Sequence, residues 1–305
     1  MRAPGALRLG GAAWAPGRVA HVVLPFAVLA LSFSAIFVRW SESPPQELAA
    51  LRLALSAAIL VPFAARRKAL RSFAPKTLLL ASLSGLALGV HYIVWFDSLR
   101  YTSVASSTLL VTLHPLLVVP ASYLLWGRRT TAPGVLGIAA ALAGGALIAG
   151  GDLSIDAAHL RGDAEALLAA MAMGTYLLIG STVRRSVGLA PYTAVVYGVG
   201  GAFALAAAAM DGMAWPVAVR EWLVVAGLVL VPSLVGHTAF NWSLRHVAPA
   251  MVSVSILGEP VGSIALAALL FGETPTAWQV LGGAVLLAGI CVFAWFGTPR
   301  GREQT

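Results

Sequence analysis

Two prolines lie deep inside apolar segments, each directly after an ionisable side chain. One dipeptide is Glu259-Pro260, and the other, 145 positions earlier, is His114-Pro115. Proline has no backbone N–H, so it interrupts the hydrogen bonding of a helix and frees a carbonyl group one turn earlier. A carboxyl or imidazole group beside such an opening could bind a solute or carry a proton. We therefore predict helix breaks at Pro115 and Pro260, with Glu259 and His114 as proton-coupling residues.

The depth of Glu259 supports this prediction. It lies about ten residues into its segment, or about 15 Å deep at the helical rise of 1.5 Å per residue. Ionisable groups at the middle of a membrane are costly and usually face a cavity or a partner. Because burial favours the neutral form of a carboxyl group, Glu259 could carry a proton. A structural role, bonding to freed backbone groups, is the alternative, and His114 could equally be a packing residue or titrate with Glu259 as a coupled pair.

Six more side chains extend the predicted substrate-binding site that contains His114 and Glu259. They are His91, Tyr92, Trp95, His237, Asn241 and Trp242. Spacing of four residues puts His91 on one helix face with Trp95. The same spacing joins His237 to Asn241. A cavity of imidazoles and aromatic rings would suit amino acids, aromatic metabolites or organic cations, whereas ordinary packing between helices is the alternative.

Arg52 is a further charged residue within an apolar segment. Its guanidinium group could bind a substrate carboxylate through two hydrogen bonds. It could instead extend to the outer interface of the membrane, or pair with Asp97 near the outer end of the next segment. We favour the structural ion pair between Arg52 and Asp97.

The segments that hold these residues have the composition of a membrane protein. Hydrophobic residues make up 59% of the chain and charged residues 10%, and the mean hydropathy is +0.86. A membrane span needs roughly 20 apolar residues. We predict ten spans, at residues 20–39, 46–64, 77–97, 104–126, 133–150, 163–183, 190–210, 222–244, 249–271 and 276–296.

The chain contains an internal duplication. Residues 98–150 align with residues 243–295 without a gap, so that Ala143-Gly144 meets Ala288-Gly289. Because each copy holds five spans, an odd number, the copies must be inverted relative to each other, as in secondary transporters with a site at the midplane. The predicted fold is an all-α polytopic membrane protein of ten transmembrane helices in two inverted five-helix repeats. The predicted divisions are a disordered cytoplasmic tail (1–19), the two repeats (20–150 and 163–296) and a cytoplasmic C-terminal tail (297–305).

The basic residues predict how the chain is oriented. The formal net charge is +8, and most of the 20 Lys and Arg residues fall on the side that carries the N-terminus. The opposite side holds Arg39, Arg100, Arg161 and Arg220. By the positive-inside rule both termini are cytoplasmic, so the basic excess reflects topology and not a nucleic-acid partner. The one cysteine, Cys291, excludes an intramolecular disulfide and a cysteine-rich metal site.

Four features of the chain occur together in one transporter family. They are Glu259-Pro260, the run Leu270 to Glu273 at the end of the same span, Arg52, and the turn at residues 98–103. With ten spans and a duplication, they resemble the EamA-domain branch of the drug/metabolite transporter superfamily over nearly the whole chain. The first copy departs from the family pattern, with Gly127-Arg128 for a Gly-Glu and His114 for an apolar residue. The resemblance implies alternating access, a cavity lined by spans one to four of each repeat, and spans five and ten at the back.

The predicted function is secondary-active transport across the cytoplasmic membrane of a small metabolite, an amino acid or an amphipathic drug-like solute. Export is favoured over import by the family analogy alone, with protons as the coupling ion, and a homodimer is one option. No enzymatic activity, cofactor or metal is expected, since neither a phosphate-binding Gly-rich loop nor a His-Glu-x-x-His motif is present. The alternatives are an uncoupled uniporter or exchanger of the same fold, an intramembrane enzyme, and a membrane sensor or scaffold.

Overall fold

The computed structural model describes residues 8–9, 12–13, 16–66, 73–102, 104–149, 157–213 and 218–297. A two-residue antiparallel pair, Arg8–Leu9 with Ala12–Ala13, precedes the helices. The predicted tails at 1–19 and 297–305 lie largely outside these residues.

The helices of the first repeat are α1 (Pro16–Trp40), α2 (Pro45–Arg66), α3 (Pro75–Ser98), α4 (Val104–Val111), α5 (Pro115–Trp126) and α6 (Ala132–Ala149). Those of the second repeat are α7 (Ala157–Val183), α8 (Leu189–Met210), α9 (Val219–Leu228), a π-helical segment (Val229–His237), α10 (Thr238–Ser243), α11 (Pro249–Ile256), α12 (Glu259–Phe271) and α13 (Ala277–Phe296).

These elements form ten helices that are long and apolar enough to cross a membrane, counted over the described residues. The fourth span is α4 with α5, the eighth is α9 with the π-helical segment and α10, and the ninth is α11 with α12. The chain is therefore an integral membrane protein with the predicted all-α fold.

The sixth span begins earlier than the sequence predicts. Helix α7 starts at Ala157 and not near residue 163, so the connection between the repeats is shorter. Its first turns are polar and are held by side-chain contacts, which is why hydrophobicity does not mark them. Arg161 Nε donates to Glu165 Oε1 at 2.8 Å, and Asp163 Oδ1 accepts from the hydroxyl of Thr102 at 2.8 Å.

Helices α6 and α13 pack closely against each other at the back of the molecule. A Cβ atom added at Gly144 would lie 2.5 Å from the carbonyl oxygen of Gly282, and one added at Gly289 would lie 2.5 Å from that of Gly137. Only glycine permits such a close approach of two backbones. The offset of 145 converts one contact into the other, and the partners run in opposite directions along the two helices. The equivalent helices are thus antiparallel, as inverted repeats require.

The front of the molecule interleaves the two repeats. Helix α2 packs against its counterpart α8, helix α3 packs against α7 and α8, and α1 packs against the eighth span and α12. Large side chains fill this interface, among them the fully buried Tyr176, Tyr192, Tyr197 and Phe240. Most of the core therefore lies between the repeats and not inside either one.

Three spans deviate from regular α-helix where they approach this interface. Helix α4 ends at Val111 before Pro115, and α11 ends at Ile256 before Pro260. The eighth span winds as a π-helix around Pro232, an arrangement frequent at functional sites. The hydroxyl of Ser233 donates to the Leu228 carbonyl at 3.0 Å, beside this irregular turn.

Candidate functional site

A cavity lies between the repeats at the broken helices. Six of the eight residues predicted to bind substrate line it: His91, Tyr92, Trp95, His114, His237 and Glu259. Five further lining residues are Leu31, Val111, Thr112, Met173 and Ile256. The cavity volume is about 20 Å³. Since one water needs roughly 10–15 Å³, the cavity must widen to admit an organic solute.

Glu259 is the first residue of α12 and is 6% exposed. The hydroxyl of Ser32 donates to its main-chain carbonyl at 3.1 Å, which ties the break in the ninth span to α1. Its carboxyl group forms no ion pair within 4 Å among the described residues, although Arg52 acts on it electrostatically. A helix N-terminus favours a negative charge, so Glu259 combines a burial that opposes ionisation with a dipole that supports it.

His114 occupies the matching position in the first repeat, immediately before α5. It is 2% exposed, and its Nδ1 lies 2.6 Å from the hydroxyl of Ser253 in α11. The other ring nitrogen, Nε2, has no hydrogen-bond partner among the described residues. The imidazole is therefore fixed by one nitrogen and leaves the other available.

Tyr92 and His237 meet across the boundary between the repeats. The hydroxyl of Tyr92 lies 2.6 Å from Nε2 of His237, and the two residues are 145 positions apart. Equivalent positions that touch each other must lie on the pseudo-two-fold axis. Next to them, His91 stacks on Trp95 with ring centroids 5.7 Å apart and is bonded through Nδ1 to the carbonyl of Ala169 at 3.0 Å.

Arg52 does not form the predicted ion pair with Asp97. It is fully buried, and it donates through Nε to the hydroxyl of Ser233 at 2.7 Å and through Nη1 to that of Ser34 at 3.3 Å. Its guanidinium carbon lies 4.3 Å from the centroid of the Tyr92 ring. Arg52 points inward and not to the membrane interface, because hydroxyl groups of two other spans receive its hydrogen bonds there.

Asp97 belongs instead to a polar cluster at the predicted outer end. Its carboxylate accepts from Gln46 at 2.9 Å and lies 3.4 Å from both Arg100 and Arg161. A second acid there, Glu221, accepts from the hydroxyls of Ser41 and Ser43. These contacts join the ends of α2, α3, α7 and α9 and the connection between α1 and α2.

Two predicted residues do not reach the cavity. Asn241 is fully buried one turn beyond it, where its Oδ1 accepts from the hydroxyl of Tyr176 at 2.6 Å. Trp242 lies against His246, with ring centroids 4.5 Å apart and the rings tilted by 46°, and it does not line the cavity.

Comparison with known proteins identifies the family of this duplicated architecture. The model of the EamA-like transporter family matches the chain twice, over residues 19–150 and 160–295. The chain belongs to the EamA-like transporter family. Both copies of the EamA unit contribute to the cavity, and the family establishes the chain as a membrane transporter.

Relatives of this EamA-family transporter carry consistent names. An uncharacterized transporter of Archaeoglobus fulgidus is 27% identical over 203 residues, which are 66% of this chain and 70% of that protein. A protein of Streptantibioticus cattleyicolor named "Probable terminal-alkyne amino-acid exporter" is 25% identical over 313 residues, covering 98% of each chain. A solved crystal structure has a TM-score of 0.76 at 22% identity and covers 91% of this chain and 97% of its own, a likeness of fold.

The chemistry of the EamA-family cavity is that of one acid among several nitrogen donors. Glu259 lines the same cavity as His91, His114, His237 and Trp95, together with several apolar residues. No group of three or more His, Cys, Asp or Glu residues among those described is arranged to hold a metal ion. Such a site can bind charged and aromatic groups and exchange protons.

The sequence reasoning missed two kinds of site residue. The lining residues Leu31, Met173 and Ile256 are apolar and look like any other residue of a span. Ser233 was missed although Pro232 beside it signalled an irregular helix. Arg52 Nε donates to the Ser233 hydroxyl, and Tyr197, the counterpart of Arg52 under the offset of 145, donates to the Ser233 carbonyl at 3.1 Å. A search for polar residues next to in-span prolines would have found it.

Proposed function

We propose that this EamA-family transporter exports a small amphipathic solute across the cytoplasmic membrane by alternating access, with Glu259 carrying the coupled proton. The observation that carries the proposal is a buried carboxyl group at a helix break, facing a cavity between two inverted repeats. Discontinuous helices at a midplane site are a feature of secondary transporters. Proton antiport is the simplest coupling for one ionisable acid.

Glu259 can serve both states of such a cycle. When protonated, its carboxyl group is neutral and compatible with a narrow cavity. When it releases the proton, the carboxylate can attract a positive group of the solute, supported by the N-terminal dipole of α12. The binding of proton and solute is then linked at one residue, and an inward proton gradient drives the solute outward.

The orientation belongs to the same proposal. The excess of Lys and Arg on one side supports a cytoplasmic position for both termini. The polar cluster of Asp97 and Glu221 then lies at the outer end, where its contacts close the path. The solute would enter from the cytoplasm in a related conformation and leave when these contacts separate.

The substrate range follows from the lining and from one relative. Aromatic and imidazole rings can stack on planar or cationic groups. The relative named as an exporter of terminal-alkyne amino acids agrees with a small amphipathic solute and with outward transport. Metabolites, amino acids and drug-like compounds of this character are the proposed class.

The test is efflux from proteoliposomes loaded with a mixed metabolite extract, read by mass spectrometry with and without an inward proton gradient. We expect selective loss of one compound class, faster with the gradient. Glu259→Gln should abolish the gradient response, whereas Glu273→Gln, an exposed acid paired with Arg39, should leave it intact. Selective loss that ignores the gradient would support an uncoupled uniporter or exchanger. No selective loss from vesicles with folded protein would contradict transport of these solutes.

A further inference from the structure

We propose that the transported solute is a zwitterion, with its carboxylate bound by ring nitrogens around His114 and its ammonium group at Glu259. This inference rests on the proposed function, because it assigns the substrate of the same cavity. Recognition would then require a solute that carries both a positive and a negative group.

The first argument concerns hydrogen-bond donors without partners. Trp95 Nε1, His114 Nε2 and His237 Nδ1 are buried and have no hydrogen-bond partner among the described residues, and all three residues line the cavity. An indole nitrogen can only donate, so Trp95 requires an acceptor. A carboxylate has two oxygens with about four acceptor positions. It can therefore satisfy several of these nitrogens, which a purely cationic or apolar solute cannot do.

The second argument concerns the end of α5. His114 lies directly before this helix of 12 residues, where the helix dipole is positive. The Ser253 hydroxyl lies 2.6 Å from Nδ1 of His114. When that hydroxyl donates to Nδ1, the proton of the neutral ring is on Nε2, which becomes a donor. The helix end and the free ring nitrogen then favour the same negative group.

The third argument is the position of the opposite charge. Glu259 is the one acidic residue that lines the cavity among the described residues, and it corresponds to His114 under the offset of 145. The two broken helices thus present a donor on one side and a carboxyl group on the other. A solute with two negative groups would be repelled by ionised Glu259. A solute with only a positive group would leave the donors unpaired.

Arg52 does not line the cavity, but its positive charge lies directly behind one wall of it. Its guanidinium group lies against Tyr92, which does line it, and its Nη2 has no hydrogen-bond partner among the described residues. This buried positive charge behind Tyr92 favours negative groups in the cavity, the carboxylate of Glu259 included. The apolar residues Leu31, Met173 and Ile256 leave the remaining wall suited to an apolar side chain.

The test compares binding of three related probes to the purified full-length protein by calorimetry. The probes are L-leucine, its amide without a carboxylate, and 4-methylpentanoate without an amine; L-phenylalanine and its two analogues form a larger set. We expect the zwitterion of one set to bind about tenfold or more tighter than either analogue, the effect of losing one charge-assisted hydrogen bond. An amide that binds as tightly as its amino acid, or no binding in either set, would overturn the proposal.

Trp95→Phe supplies a second, local test, since it removes the indole N–H and keeps an aromatic ring. It should weaken binding of the amino acid and of the carboxylic acid more than binding of the amide, whose uncharged carbonyl oxygen accepts a weaker hydrogen bond. Trp242→Phe is the matched control, because that side chain lies against His246 outside the cavity. An equal loss for all three probes in Trp95→Phe would mean that the ring only packs, and would overturn the assignment of the carboxylate.

The outcomes separate this inference from the proposed function. Binding is measured without a membrane or a proton gradient, so it does not depend on coupling. Preference for the amide, together with intact gradient-driven efflux, would overturn the zwitterion and leave the exporter. Preference for the zwitterion without any efflux would overturn the exporter and leave the binding assignment.

Discussion

The two repeats match closely at the back of the molecule and differ in charge at the front. Behind the site, Gly144 meets Gly282 in the same way as Gly289 meets Gly137. Around the cavity, corresponding positions hold unlike side chains, with His114 opposed to Glu259 and Arg52 opposed to Tyr197 in the alignment. The symmetric contact requires a particular backbone geometry, whereas the cavity requires particular functional groups. A duplicated scaffold can therefore carry an asymmetric site.

The same contrast appears at the two ends of the spans. Arg39 and Arg184 correspond to each other, yet Arg39 is exposed and pairs with Glu273, and Arg184 is buried. The hydrogen bond and charge of Arg39 hold the pKa of Glu273 below its ordinary value. Burial, with the nearby charge of Arg245, lowers the pKa of Arg184 to about 10, so Arg184 stays charged at neutral pH. Arg39 and Arg184 thus occupy equivalent positions but differ in burial and in the contacts they make.

The largest predicted effect tests the symmetric half of the comparison. Gly144→Ala and Gly289→Ala should each destabilise the protein by about 1–3 kcal/mol, because the added methyl group meets backbone atoms of the facing helix. The two losses should be similar, since the contacts are equivalent. Thermal unfolding in detergent measures them. Gly198→Ala is the control, because nothing lies within 4 Å of a Cβ at that position; clearly unequal losses would refute the symmetry.

A second pair of substitutions compares the matching arginines. Arg184→Gln should cost about 2 kcal/mol, since it removes donors to the buried carbonyls of Asn241 and Val187. Arg39→Gln should leave the unfolding temperature unchanged, because exposed ion pairs contribute little. Both variants are compared with the wild type in one detergent. Equal decreases in the unfolding temperature for the two variants would show that the buried arginine contributes no more to stability than the exposed one.

The smallest predicted effect lies on the axis between the repeats. Tyr92→Phe removes the hydrogen bond to His237 and should cost about 1 kcal/mol. Tyr197→Phe removes the hydrogen bond to the Ser233 carbonyl and should cost a similar amount. Unfolding temperatures of the two variants check this. If Tyr92→Phe lowers the unfolding temperature much more than Tyr197→Phe does, the contact between Tyr92 and His237 contributes more than one hydrogen bond.

Sequence alone was sufficient for the fold because its signals are long or repeated. Apolar runs predicted ten spans, and the duplication over an odd number of spans required inversion. Two of the breaks fall next to Pro115 and Pro260, since a proline acts on its own helix. The start of α7 at Ala157 was missed because its polar turns are stabilised by partners on other segments.

The partners of site residues were harder to predict. Arg52 was assigned to Asp97, an acid at plausible depth, but hydroxyls of Ser34 and Ser233 bind it. Serines are frequent in spans, and nothing in their local sequence marks these two. Trp242 was assigned to the cavity because it lies close to His237 and Asn241 in the sequence, but its ring lies against His246. Such contacts depend on helix rotation, which hydrophobicity alone constrains weakly in a membrane.

The most direct measurement compares the two matching residues of the cavity in one transport assay. Efflux of the solute selected in the metabolite experiment is followed from proteoliposomes with wild type, Glu259→Gln and His114→Gln, with and without an inward proton gradient. The account predicts that Glu259→Gln binds the solute more weakly and that the exchange remaining at equal pH does not respond to the gradient. His114→Gln should still respond to the gradient and bind the solute about tenfold more weakly. A gradient response that survives in Glu259→Gln, or is lost equally in both variants, would contradict the division of roles.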